Sequence, residues 1–104
     1  MDTNLKWLTL KQIKAQLRLD DQQAYEEHDL LEMYGESAEE TVLELCNRTY
    51  DEIQATYGGT PKNLVHASLM LVDMSYQYRS PASMQSISLV PYTFDMLIKP
   101  YIKL

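Results

Sequence analysis

Apolar residues recur at helical spacing in four segments of the chain. In the first segment, Leu10, Ile13 and Leu17 fall on one face and basic side chains lie outside it. In the second, apolar positions step by three or four residues from Leu31 to Leu45 between many glutamates. The third is apolar around most of its circumference, and the fourth is short. The pattern predicts an all-α single domain spanning 1–104, with about four helices, near 9–19, 22–47, 61–79 and 92–99, and a long loop at 80–91.

Residues that favour helix ends support these boundaries. Thr9 and Gln12 form a capping-box pair, and Asp20-Asp21-Gln22 supplies a turn and an N-cap for the second helix. Asn47 tolerates the left-handed conformation that ends many helices. Between 49 and 60 the pattern is less regular and allows one or two further helical turns before the Gly58-Gly59 break. Gly35, inside the second helix, indicates either close packing or a bend.

The periodicity also predicts which side chains are buried. We expect each helix to bury its apolar face, and the third helix to be central because so little of it is polar. We therefore expect the Leu71→Ala substitution to cost about 2–5 kcal/mol. The predicted core consists of Leu10, Ile13, Leu17, Leu31, Tyr34, Val42, Leu45, Leu64, Leu71, Val72, Phe94 and Leu97.

The composition is typical of a globular protein of one domain. The chain has 104 residues, of which 45% are hydrophobic, and a single cysteine, Cys46, which cannot form an internal disulfide. The polar first residues do not resemble a signal peptide, and no run approaches the ~20 apolar residues of a membrane span. We therefore expect a soluble protein in a reducing, intracellular compartment.

Charge is distributed unevenly along the chain. Residues 1–19 have a balance of +3, residues 20–54 carry twelve acids against Arg48 alone, and residues 55–104 have a balance of +2. A protein that grips duplex DNA needs clustered Lys and Arg, so tight DNA binding is not expected. The acidic run indicates a solvated helix face, or the wall of a conduit past which DNA slides.

Candidate catalytic or metal-binding chemistry is scarce. His28 and Glu32 are one helical turn apart, a spacing that two metal ligands could use, but an acidic helix provides such carboxylates by chance. His66 lies on a polar stripe, and Cys46 lies near the end of a helix, where an inert buried thiol is expected. No phosphate-binding loop or nucleophile motif is present in the sequence. We predict no enzymatic activity, no metal and no cofactor.

Four stretches, in order, resemble the small head–tail connector proteins of tailed bacteriophages. They are "LTLKQIKAQLRLDD", the long helix ending "LELCNRTY", the proline-started "PKNLVHASLMLVDMSYQYR", and "LVPYTFDMLIKPY" near the end. Asn47 stands before Arg48-Thr49 where the family often has glycine, a mild departure because asparagine also tolerates a left-handed conformation.

The resemblance implies a structural protein that works through its surfaces. It implies a ring of about a dozen copies below the portal, with the portal and the tail or stopper proteins as partners and DNA passing through without tight binding. It also implies a place in the virion, with assembly in the bacterial host cytoplasm. A cytoplasmic regulator, a small acidic helical module that binds a basic partner, is the alternative.

Two groups of residues are candidates for the subunit or portal interface. A ring needs two different faces that meet, and the basic first helix and the acidic second helix could supply them, unless they pack together within one subunit. The uncharged loop 80–91 carries apolar groups that either dock on a neighbouring subunit or the portal, or pack back on the helices. The candidates are Lys11, Lys14, Arg18, Glu36, Glu39, Glu40, Met84, Ile87, Leu89 and Val90.

Overall fold

The computed structural model describes residues 4–77 and 91–104 of the chain. These residues form helices and connections without a strand, so the all-α prediction is confirmed. The last helix continues into one 3-10 turn, Lys99–Tyr101. The six helices are α1 (Leu10–Leu17), α2 (Asp21–Glu26), α3 (His28–Cys46), α4 (Tyr50–Tyr57), α5 (Lys62–Gln77) and α6 (Pro91–Ile98).

Capping boxes begin three of the helices. At α1 the Thr9 hydroxyl accepts from the Gln12 amide at 3.1 Å, and the Gln12 side chain accepts from the Thr9 amide at 2.9 Å. The same reciprocal pattern begins α2 at Asp20 and α4 at Thr49. Each box satisfies two backbone donors that a helix start otherwise leaves unpaired. The capping box predicted at Thr9 is therefore confirmed, and within Asp20-Asp21-Gln22 the N-cap is Asp20.

The acidic segment differs from the single helix predicted over 22–47. It is two helices, because Glu27 leaves the helical conformation with φ −104° and ψ 13°. The Tyr76 hydroxyl of α5 donates to the Glu27 carboxylate at 2.6 Å and holds it against the domain. At the other end, Asn47 ends α3 with a left-handed φ of 56°, as predicted. After it, α4 provides the further two turns that the sequence allowed.

Helix α5 lies at the centre, as predicted, and α3, α6 and α1 all pack on it, α3 most extensively. The buried side chains form two clusters that share these central helices. One contains Val42, Cys46, Ile53, Leu64, Ala67, Phe94 and Ile98. The other, on the α1 side, contains Leu8, Ile13, Leu17, Leu31, Ala38 and Val72.

The predicted core is mostly buried, as expected, at every position but one. Leu45 is 46% exposed, so its assignment to the core was wrong. Four others are partly buried and pack against the buried clusters, and Leu71 contacts both clusters. These four are Leu10, Tyr34, Leu71 and Leu97.

The wrong assignment of Leu45 is explained by Gly35. Gly35 belongs to the buried face of α3, and this face differs from the one that the apolar pattern predicted. A Cβ at Gly35 would lie 2.8 Å from Leu5 Cδ2 and 3.0 Å from Ile13 Cδ1. The glycine is therefore a close-packing position, which settles the choice that the sequence left open between packing and a bend. With Gly35 inward, Cys46 rather than Leu45 completes the buried stripe.

Predictions for the loop fall mostly outside the described part of the chain. The end of the third helix at 78–79 and the loop residues 80–90 lie there, while Pro91 already belongs to α6. Within 4–77 and 91–104, no helix is both long and apolar enough to cross a membrane.

Candidate functional site and assembly surfaces

The segment before α1 is anchored by one buried carboxylate, that of Glu39, which is 1% exposed. Glu39 Oε2 accepts from the backbone amides of Lys6, Trp7 and Leu8 at 2.9, 2.8 and 2.8 Å. Glu39 Oε1 accepts from the Lys6 amide at 2.8 Å. Hydrogen bonds to a charged acceptor are stronger than neutral ones, so a single side chain of α3 fixes three consecutive residues.

Trp7 ties the same segment to two other helices. Its indole N–H donates to Ser68 Oγ at 2.9 Å, and the Ser68 hydroxyl donates to the Leu64 carbonyl at 2.8 Å within α5. The Trp7 ring stacks on Tyr50 of α4, with centroids 6.2 Å apart. Every polar atom of this buried group is thereby paired, as a stable interior requires.

Glu39 was predicted as an interface residue, but the structure places its side chain inside the subunit. Its carboxylate is used by the amides of residues 6–8, whereas the adjacent Glu40 is exposed. The sequence held one signal for this difference. Glu39 follows Gly35 by four residues and precedes Val42 by three, so it lies on the buried stripe of α3.

Two motifs of the connector resemblance meet at the far end of α3. The Arg48 Nε donates to the Tyr101 carbonyl at 2.8 Å, and the Lys103 amide donates to the Cys46 carbonyl at 2.8 Å. The Tyr57 ring lies edge-on to Tyr101 at 5.3 Å, and the Arg48 guanidinium lies 5.6 Å from the Tyr57 centroid. The Arg48-Thr49 and Pro100-Tyr101 motifs therefore join the C-terminal tail to the α3–α4 turn.

One ion pair and two pKa shifts accompany this junction. Lys103 Nζ lies 2.9 Å from Glu52 Oε2. That hydrogen bond, aided by the one from the Thr49 backbone, lowers the pKa of Glu52. Burial raises the pKa of the Cys46 thiol, which the nearby Arg48 charge only partly opposes. Cys46 is therefore in the environment of an inert structural thiol, as expected.

The outward face of α3 carries a row of like charges, Glu32, Glu36, Glu40 and Glu44, at intervals of four residues. Glu40 and Glu44 are exposed, Glu32 and Glu36 are half-buried, and α3 itself contains no Lys or Arg. Like-charged side chains four residues apart disfavour a helix by about 0.2–0.5 kcal/mol per pair. We call this row the acidic face; Met33, 54% exposed, lies within it.

The outward face of α1 carries the opposite charge. Lys11, Ala15 and Arg18 are exposed, whereas Ile13 and Leu17 are buried on the other side of the helix. We call these three exposed residues the basic face. The third predicted cation, Lys14, forms an ion pair with Asp21 of α2 and is thus engaged within the subunit.

The remaining candidate positions add little chemistry. His28 contacts the Asp29 carboxylate and the Tyr25 carbonyl, and no group of metal-ligating side chains occurs among the described residues. His66 is exposed. A shallow groove of about 600 Å³ lies between Lys6 and the end of α3, where Glu40 and Glu44 line one side. The predicted loop contacts Met84, Ile87, Leu89 and Val90 lie outside the described residues.

Comparison with known protein families matches almost the whole chain. The family model of the phage gp6-like head-tail connector protein matches residues 8–102. This range contains all six helices and both motifs that meet at Arg48 and Tyr101. No curated protein matches the chain significantly, and neither does any solved structure.

Proposed function

The chain belongs to the phage gp6-like head–tail connector family, and from this premise we propose that it forms a ring below the portal. The family gives it a structural role in the phage virion, in contact with other head and tail proteins. The match over 8–102 is the observation that carries the proposal. The proposed ring contains about a dozen copies of the chain and is closed by contacts between two different faces of neighbouring copies.

The portal on one side and the tail or stopper proteins on the other are the proposed partners. Assembly would take place in the bacterial host cytoplasm before the particle is released. The charge distribution supports passage of DNA through the ring, since twelve acids within residues 20–54 repel a phosphate backbone instead of holding it. The family is structural, and we propose that the chain acts through its surfaces, without catalysis.

A phage or prophage that encodes this chain offers the direct test. A stop codon early in its gene should leave heads and tails unjoined in the lysate, as counted by electron microscopy. Expression of the intact chain from a plasmid should restore joined particles. Normal yields of joined particles without the chain would contradict the proposal, and would favour the regulator alternative.

A further inference from the structure

We propose that the basic face of α1 in one subunit docks on the acidic face of α3 in a second copy of this chain. The inference rests on the proposed function, because it names the contact by which copies would associate. A second copy of the chain is the partner that fits the acidic face, because its basic face carries the complementary charge. Lys11 and Arg18 have no ion pair within the described residues, and the same holds for Glu36, Glu40 and Glu44.

The two faces cannot meet inside one subunit. Helix α1 turns Ile13 and Leu17 toward α3 and α5, and α3 turns Leu31 and Ala38 into the same buried cluster. Residues opposite these positions therefore face outward from both helices. Any contact between the two outward faces needs a second copy, and it joins different faces, as a closed ring requires.

The spacing of the side chains on the two helices is compatible. The eight residues of α1 span about 12 Å, with Lys11 in the first turn and Arg18 as the left-handed C-cap just after the last, and Glu36 and Glu44 are eight residues apart, about 12 Å along α3. Between the two cations stands Ala15, whose small side chain permits close approach of the second helix. Met33 provides an exposed apolar group on the acidic face, which such a contact would cover.

Lys14 and Glu39, two of the predicted interface residues, are not part of the proposed contact. Lys14 is already paired with Asp21, and Glu39 is buried beneath the segment before α1. Changes at either residue would act on the subunit itself. The proposal therefore concerns Lys11 and Arg18 on one side, and Glu36, Glu40 and Glu44 on the other.

Disulfide trapping between two full-length variants tests the contact directly. One chain carries Lys11→Cys, and the other, with an affinity tag that changes its mass, carries Glu40→Cys. The native Cys46 is fully buried and stays in place. The matched control replaces Lys11→Cys by Lys62→Cys, an exposed lysine on α5. We expect the mixed disulfide to form about tenfold faster with Lys11→Cys than with the control, and faster than either variant pairs with itself. Equal rates would overturn the proposal.

A charge exchange provides the second measurement. The double variant Lys11→Glu/Arg18→Glu should weaken self-association by about tenfold in sedimentation, since exposed ion pairs contribute modestly. Combining it in the same chain with Glu40→Lys/Glu44→Lys should restore the wild-type value, and loss without restoration would count against a specific contact.

Failure of the proposed contact can be distinguished from failure of the proposed function. If the plasmid-borne wild-type chain joins heads to tails while trapping rates are equal, the connector role stands and this contact is wrong. If joining does not depend on the chain at all, the proposed function itself fails, whatever the trapping experiment shows.

Discussion

Replacing Glu39 by alanine should destabilise the subunit more than any other change of a charged residue. The substitution removes the acceptor for the amides of Lys6, Trp7 and Leu8. The Leu8 hydrogen bond is fully buried, and a buried donor without a partner costs about 1–3 kcal/mol. The Lys6 and Trp7 amides are only partly buried, so water can replace part of what they lose.

The expected loss of unfolding free energy is about 3 kcal/mol, once the avoided cost of removing a carboxylate from water on folding is subtracted from these losses. For a 104-residue chain, an unfolding entropy of about 2.1 cal/mol/K per residue converts this loss into a Tm about 14 °C lower. Glu39→Gln retains one accepting oxygen but loses the charge and places an amide N–H₂ against a donor. We expect it to cost about 1–2 kcal/mol.

Circular dichroism during thermal and urea unfolding measures these differences. The matched controls are Glu40→Ala and Glu40→Gln, because Glu40 is the exposed neighbour of Glu39, and these should change stability by less than ~0.5 kcal/mol. Amide hydrogen exchange adds a local readout, since residues 6–8 should lose protection in the Glu39 variants. If Glu39→Ala and Glu40→Ala melt alike, the anchoring role assigned to Glu39 is refuted.

Four further outcomes follow from the same structure and sequence. Gly35→Ala should bring no gain in Tm, because the clash with Leu5 and Ile13 cancels the ~1 kcal/mol of helix propensity; a rise of several degrees would contradict the close packing. Leu64→Ala should cost about 2–5 kcal/mol in urea unfolding and Leu45→Ala less than ~1, since only the former is fully buried; equal costs would disprove the core assignment. Duplex DNA should not bind appreciably at physiological salt in a fluorescence titration, and micromolar affinity would argue against a passive conduit. Deleting residues 82–86 should leave the melt nearly unchanged but impair head–tail joining; an unfolded variant would make the loop structural.

Local signals in the sequence were sufficient for most of the secondary structure. Capping pairs, prolines and the left-handed Asn47 act within a few residues, so they can be recognised without knowledge of the fold. They predicted where α1 begins, where α3 ends and where α5 starts. The break at Glu27 was missed because its partner, Tyr76, comes from a helix nearly fifty residues later.

The buried face of α3 could be predicted only approximately. Helical periodicity allows either Leu45 or Cys46 as the last buried position after Val42, since both lie near the same side. The choice depends on Gly35, whose missing side chain admits Leu5 and Ile13. Close packing of this kind is a tertiary property, so the sequence predicted both Leu45 and Cys46 as buried although only Cys46 is.

Glu39 shows why composition misleads about candidate interfaces. A glutamate in an acidic run is expected to be solvated, and only its position on the buried stripe distinguishes Glu39 from Glu40. The contact of Arg48 with Tyr101 was likewise hidden, although both motifs were visible, because the pairing joins residues that are fifty-three apart. Motif order along the chain carries no information about which motifs meet.

The structure also changes what the acidic run can offer to a partner. Several of its carboxylates already have partners within the subunit: Asp21 has Lys14, Glu27 has Tyr76, Glu39 has three backbone amides, and Glu52 has Lys103. These groups stabilise the fold. The row on the outward face of α3 has no cation on its own helix, and it retains its mutual repulsion in the isolated subunit. A cationic surface placed against this row would relieve that repulsion.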